Sequence, residues 1–300
     1  MKIAFLMQCH KNPKQINLLL RALKNPHVDI FVHVDSKSES IRGDIEKDDG
    51  VYLLPKEDCV DVQWGQFSQV KATLNLLNAA IFHMRGGGYT HYFLISGQDF
   101  PLKPIEEIVE FLKVHEDDNF IECSKIKTFE KRNDISFSRM VVGRNTWQKV
   151  LKNILVYGTG GWSHTFSIMK RSAPNNFHYF FGSSWWCLNN KTVMWIEAYI
   201  QQHPEFQSFF ERSLCADECF FQTLVMNSLY VDSVKPYLHF VKFEHEESSP
   251  VLLTIDNYSE LQKSGKMIAR KFDLKVDAAI VKKLCRIIKI NYNAEAEEKC

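Results

Sequence analysis

The order of strand-like and helix-like segments over the first 115 residues limits this chain to a small set of folds. Four short apolar runs, Ile3–Met7, Ile30–Val34, Val51–Leu54 and Tyr92–Ile95, read as buried strands. Two segments of helical period lie between them: Pro13–Leu23, and Ser68–Met84 with apolar Val70, Leu74, Leu77, Ala80 and Ile81. Ile105–His115 follows as a third helix, opened by Pro104, with Glu106 and Glu107 in the first turn where the helix dipole favours negative charge. Strands alternating with helices in this way predict an α/β fold with a parallel, doubly wound sheet and helices on both faces.

Beyond residue 115 the pattern loosens. The stretch from Glu116 to about Asn176 is polar, aromatic and irregular, and is expected to be an insertion rather than core. Phe177–Leu188 is strand-like and dense in aromatics, and Val193–Gln202, Cys219–Asn227 and Val276–Ile290 read as helices. Glu244–Pro250 is a charged loop. With no internal repeat and no linker, one domain over residues 1–300 with a C-terminal extension is the simplest organisation.

In an open α/β sheet, ligands bind in the crevice at the carboxyl ends of the strands. Those ends carry polar residues here: His10-Lys11-Asn12 after the first strand, His33-Val34-Asp35 at the second, and Ser96-Gly97-Gln98-Asp99 after the run at Tyr92. Asp99 therefore stands where chemistry would be placed, or is the first polar residue of a turn stabilised by Pro101 and Pro104. Gly86-Gly87-Gly88 precedes a strand instead of following one, and Gly158-Thr159-Gly160-Gly161 lacks the spacing of a dinucleotide loop. No P-loop lysine motif is present. These absences argue against a dehydrogenase or an ATPase.

A net charge of +1 offers no general attraction to nucleic acid or to an anionic membrane, so neither partner is expected. No apolar run approaches the roughly 18–20 residues of a membrane-spanning helix. The apolar start of the chain ends in Gln8-Cys9-His10-Lys11 without a small-residue cleavage site, so it reads as a buried strand and the chain as cytoplasmic. The eight cysteines form no C-x-x-C pair, and Cys215 and Cys219 share a helical face, so reduced buried thiols are expected in preference to zinc ligands.

Seven motifs occur in a fixed order: His10-Lys11-Asn12-Pro13; His33-Val34-Asp35-Ser36-Lys37; Trp64-Gly65 with Ser68; Ser96-Gly97-Gln98-Asp99-Phe100-Pro101; Gly182-Ser183-Ser184-Trp185-Trp186; Ala216-Asp217-Glu218-Cys219-Phe220-Phe221-Gln222-Thr223; and Ala269-Arg270-Lys271-Phe272-Asp273. Together they resemble the core-2/I-branching family of β-1,6-N-acetylglucosaminyltransferases, which also includes peptide O-xylosyltransferases. The resemblance runs from about residue 3 to about residue 280 and is weakest over 124–176 and 244–265. It implies a GT-A type, Rossmann-like fold and inverting transfer of a sugar, N-acetylglucosamine or xylose, from a UDP-sugar to a glycan acceptor, with no divalent metal. On that view residues 1–115 form a nucleotide-binding half, and 116–300 an acceptor-binding half with a C-terminal phosphate-binding extension.

The residues themselves agree with much of this. Most GT-A enzymes hold the diphosphate through a metal on an Asp-x-Asp, and this chain has no Asp-x-Asp. A departing UDP still needs about two positive charges against it. Arg270 and Lys271 can supply them, or can be an ordinary solvated helix start; the family lysine matching Lys271 contacts the phosphates. The family's other phosphate-binding arginine falls in 244–265, where this chain has none, which leaves Lys242, Lys263 or Lys266 as replacements. Single displacement needs one positioned carboxylate, and the resemblance implies Glu218, which matches the glutamate of the family's Asp-Glu motif; without it, both acids could simply decorate a helix N-terminus. Asp217 is counted with the substrate-side residues, although an N-cap of the helix through Phe220–Leu224 is the plainer reading of its position.

His10 can stack on or hydrogen-bond a uracil, and Asp35 can accept from uracil N3–H or a ribose hydroxyl. Asp99 holds the donor sugar or orients the Ser96 turn. Sugar rings pack their C–H patches on aromatic faces, and Trp185 and Trp186 alternate, so one is expected to face the cleft and the other the core. Trp147 and Trp162 are further candidate platforms. Glu122 matches a family position that binds the acceptor sugar, with Lys131 and Arg132 as looser matches. The competing reading is a catalytically silent UDP-sugar or glycan-binding protein with the same fold; Asp217-Glu218 occurring together with Arg270-Lys271 counts against it.

Overall fold

Alternate residues of the first strand belong to two different cores, and this fixes the architecture. In β1 (Ile3–Cys9), Ile3, Phe5 and Met7 face one apolar cluster while Ala4 and Leu6 face another. A strand buried on both sides must lie inside a sheet covered on both faces. The computed structural model describes residues 2–84, 88–125, 146–161, 177–244 and 249–292.

Pro13 at its first position starts α1 (Pro13–Leu23), which leads to β2 (Val28–Val34) and β3 (Val51–Leu53). Then come α2 (Ser68–His83), β4 (His91–Ser96), β5 (Asp99–Pro101), α3 (Ile105–Val114) and β6 (Asn119–Phe120). After α4 (Thr146–Gly158) the chain forms β7 (Cys187–Asn189) and α5 (Asn190–Gln202), whose start is capped by the Asn189 side chain accepting from Thr192 N. The remainder is α6 (Pro204–Phe210), α7 (Phe220–Met226), β8 (Val234–Lys235), β9 (His239–Val241), α8 (Tyr258–Lys263), β10 (Ile268–Arg270) and α9 (Ala278–Ile287).

The main sheet has the order β3-β2-β1-β4-β7-β6-β8. Its first four strands are mutually parallel, β7 runs against both its neighbours, and β6 and β8 are parallel. Buried residues of α1, α3 and α9 belong to one face's core, and those of α2, α5, α6 and α7 to the other's. The mostly parallel, doubly wound α/β sheet expected from the alternating segments is therefore present. At roughly 25 cal/mol per Å² of apolar area, two filled faces supply most of the stability of such a fold.

A second sheet, β5-β10-β9, was not expected from the sequence. Its register sets Asp99 opposite Arg270, and Ile268 opposite His239. Arg270 thus ends a buried strand, with Lys271 next to it, so the reading of this pair as a solvated helix start is corrected. The expectation of an irregular insertion over 116–176 is also corrected in part. Asn119–Phe120 is an inner strand of the main sheet, in keeping with the strand-like reading of Asn119–Ile121, while Thr146–Gly158 is helical, which was not expected. Within Phe177–Leu188 only Cys187 and Leu188 belong to a strand, although Phe181 bridges Ser124. Among the described residues, no helix is long and apolar enough to cross a membrane.

Candidate active site

The strand order moves outward from β1 to β3 and then returns to β4 on the other side of β1. A cavity of about 700 Å³ opens at the carboxyl ends of these strands, as expected at such a switch point. The loops after β1, β2 and β4 form one side of it. The segment before β7, the 3-10 turn Ala216–Glu218 and the end of β10 form much of the rest. His10, Asp35, Glu122, Trp185, Asp217, Glu218, Arg270 and Lys271 all line this cavity.

Asp99 and Trp186 do not. Asp99 is 1% exposed; its Oδ2 accepts from the Ser96 amide at 2.9 Å and lies 3.6 Å from His239 Nε2. Its Oδ1 is 3.7 Å from Arg270 Nη1. It orients the turn after β4 and faces Arg270, so it is withdrawn as a donor-sugar contact: no surface is left for a sugar. Trp186 has no exposed surface and packs on Phe221 with ring centroids 4.9 Å apart. Alternation along the chain sends Trp185 to the cavity and Trp186 to the core, and Trp186 is withdrawn as a sugar platform.

Arg270 is 9% exposed, and its guanidinium carbon sits 3.9 Å from the centre of the Trp185 ring. Burial opposes its charge, which Asp99 and then Asp217 support. Its Nε and Nη1 donors have no hydrogen-bond partner. Both atoms are shielded from solvent, and Nη1 faces Asp99 Oδ1, which also lacks a hydrogen bond, so the charge rests on the ion pair. Lys271 is half-buried; burial, then Arg270, then Lys11 push its pKa down, and Asp273 works against them. Three cations therefore gather at one end of the cavity.

Glu218 is half-buried on the 3-10 turn. Its amide donates to the Cys215 carbonyl at 3.1 Å, and its own carbonyl accepts from the Gly182 amide at 3.0 Å. Cys215, at φ 51°, makes the left-handed step that sets the turn. The N-cap role expected of Asp217 is corrected: α7 begins after Cys219 with no side-chain cap, and Asp217 Oδ2 accepts from Ser184 Oγ at 2.7 Å. Glu122 is exposed in the cavity, where its Oε2 accepts from the Ser183 amide at 2.9 Å. Gly182 is squeezed between these two acids; a Cβ there would lie 1.8 Å from the Glu122 carbonyl oxygen.

Asp35, 7% exposed, accepts from the Lys37 amide at 3.0 Å and so caps the short helix that follows β2. His10 stands at the rim. His33, two residues before Asp35 and so on the same side of β2, also lines the cavity and was missed, although a period of two would have found it. Its Nε2 accepts from the Val60 amide at 2.9 Å, and burial holds its pKa down to about 4. Trp64, 52% exposed, and Tyr237 are further lining aromatics to which the sequence attached no role.

The lysines proposed to replace the missing arginine lie elsewhere. Lys242 pairs with Glu260 at 2.6 Å, Lys266 donates to the Tyr237 carbonyl at 2.5 Å, and Lys263 is exposed on α8; none lines the cavity. Lys11 and Lys37 do line it. Trp147 is exposed on α4 away from the cavity, and Trp162, Lys131 and Arg132 lie outside the described residues. Among the described residues no three His, Cys, Asp or Glu side chains converge as a metal site, and Cys215 and Cys219 are buried.

Comparison with known proteins adds the family. The family model for Core-2/I-Branching enzyme matches residues 3–262. The chain is 21% identical over 239 residues to Xylosyltransferase sqv-6 of Caenorhabditis elegans, covering 78% of this chain and 27% of that protein. It is 25% identical over 315 residues to the Danio rerio Beta-1,3-galactosyl-O-glycosyl-glycoprotein beta-1,6-N-acetylglucosaminyltransferase 4, covering 93% and 68%. Xylosyltransferase 2 of Homo sapiens is 22% identical, with 78% and 25% covered. The chain thus spans about a quarter of the length of these xylosyltransferases and about two thirds of the zebrafish enzyme. Among solved structures, mouse Xyloside xylosyltransferase 1 in its apo form aligns over 90% of this chain and 97% of its own, with 10% identity and a TM-score of 0.38, too distant to argue from. The family model, by contrast, takes in β1 through most of α8, the loops at the carboxyl ends of β1, β2 and β4, and the Asp217-Glu218 turn, so this α/β chain belongs to the Core-2/I-Branching enzyme family.

Proposed function

We propose that this chain is an inverting, metal-independent glycosyltransferase that moves N-acetylglucosamine or xylose from a UDP-sugar to a hydroxyl of a glycan acceptor. In this reading Glu218 removes the acceptor hydroxyl proton as the oxygen attacks the anomeric carbon. The bond from that carbon to the diphosphate oxygen breaks, and UDP leaves with the bonding pair. Arg270 and Lys271 neutralise the charge that develops on it, work that a fixed cation in a poorly solvated site does without reorganising. His10 and Asp35, at the ends of β1 and β2, take the nucleoside; Glu122 and Trp185 face the acceptor, with Asp217 beside Arg270 and Ser184.

The observation that carries this reading is the pairing of Arg270 with Lys271 at one wall of a cavity that Glu218 also lines. A departing diphosphate would relieve the repulsion between those cations. A positioned base contributes about 10²–10⁴-fold. Glu218→Gln is therefore expected to lower turnover by at least a hundredfold while UDP binding, followed by calorimetry, changes less than threefold. Transfer from UDP-N-acetylglucosamine or UDP-xylose should continue in EDTA. A strict manganese requirement would refute the metal-free mechanism, and a chain that neither hydrolyses nor transfers any UDP-sugar would refute the enzyme.

A further inference from the structure

A diphosphate spreads its charge over two phosphoryl groups, and Arg270 and Lys271 approach the cavity from one strand end only. We propose that Lys11, in the loop after β1, is a further direct contact to the donor diphosphate, held in place by Asp273. This rests on the UDP-sugar reading above and extends it to a residue from the opposite end of the chain.

Lys11 lines the cavity, and its Nζ donates to Asp273 Oδ2 at 2.8 Å. Asp273 Oδ1 accepts from Asn12 Nδ2 at 2.9 Å and from the Lys275 amide at 3.0 Å. This carboxylate, 8% exposed and two residues beyond Lys271, fastens the first loop of the chain to the segment after its last strand. Burial works against its charge, but Lys11, the Lys275 amide and Asn12 outweigh that and keep the carboxyl ionised below its ordinary range. An ammonium has three N–H donors, and Asp273 takes one, leaving two for a ligand.

The other lysines fit less well. Lys37 lies 2.6 Å from Asp61 and 3.5 Å from Asp35 and also donates to the Val62 carbonyl, so its donors are spent. Lys242 and Lys266 are engaged outside the cavity. Crowding of Lys11, Arg270 and Lys271 is unfavourable in the empty cavity, and a polyanion reverses its sign.

The test is calorimetric titration of the full chain with UDP and with uridine. A charge-assisted lysine–phosphate bond corresponds to roughly tenfold or more in affinity. Lys11→Met is expected to weaken UDP at least tenfold and uridine less than twofold, and to flatten the salt dependence of UDP binding. Lys11→Arg should recover most of the loss. Asp273→Asn should lower the UDP-to-uridine affinity ratio by less than Lys11→Met does. Should Lys11→Met not fold, Lys11→Gln, which keeps a donor for Asp273, is read in the same way. An unchanged ratio in the Lys11 variants overturns this inference, and leaves the proposed function standing if Lys271→Met lowers the ratio. Parallel loss of uridine and UDP also overturns it, because Lys11 would then act through the fold. Wild-type chain that binds UDP no better than uridine removes the proposed function, and this contact with it.

Discussion

A methyl group added to Gly182 would meet the Glu122 carbonyl oxygen at 1.8 Å and its carbonyl carbon at 2.6 Å, both backbone atoms that cannot swing aside. The Gly182 amide is also bonded to the Glu218 carbonyl, so any shift passes to both acids. Gly182→Ala is expected to cost roughly 1–3 kcal/mol, as overpacking does, and to lower transfer at least tenfold. Thermal unfolding and initial-rate measurements on the variant check both. The sequence showed Gly182 only as a member of a motif, because the contact that requires glycine comes from a residue sixty positions earlier. Trp185 and Trp186 make the opposite case. Alternation announced that they would part, and only the placement of the two cores decided which of them meets Arg270. Asp217 was misread because helix start and side-chain cap were assumed to coincide, whereas its carboxylate reaches Ser184.

At the scale of elements, the three-residue strands β5, β9 and β10 matter most to the site, and these were the least legible. Strands of this length show no period of their own, and their partners lie far away in sequence. The longer members, β1, β2, β4, α1, α2 and α3, were readable to within two residues at each end because their apolar spacing is sustained. The register of the small sheet puts Asp99 across from Arg270, with His239 on the far side of the carboxylate. Removing one partner of a buried ionic pair leaves the other uncompensated, which typically costs about 3 kcal/mol. Asp99→Asn keeps an oxygen for the Ser96 amide but discards the charge. It should lower the urea midpoint by that free energy divided by the slope, with the slope itself unchanged. A midpoint equal to that of the parent chain would mean that Asp99 does not support the Arg270 charge.

For the molecule as a whole, buried histidines set how stability responds to acid. Burial holds His33 and His91 down to about 4 from the ordinary 6.5, and lowers His239 as well. A histidine whose folded pKa is depressed takes its proton more readily when unfolded. The unfolded chain therefore binds more protons between about pH 6.5 and 4, and stability falls as pH drops through that window. His33 adds a direct reason, since protonating Nε2 removes the acceptor of the Val60 amide. By pH 5 each of the two is expected to cost roughly 1–2 kcal/mol. Melting temperatures between pH 7 and 5 should show the decline, and His91→Phe should make it shallower; a flat profile would contradict the burial of these rings. At the same scale, β10 of the small sheet lies beyond the end of the family match and pairs with both β5 and β9. The wall carrying Arg270 and Lys271 therefore rests on segments far apart in the chain, and loosening either partner strand would displace both cations together.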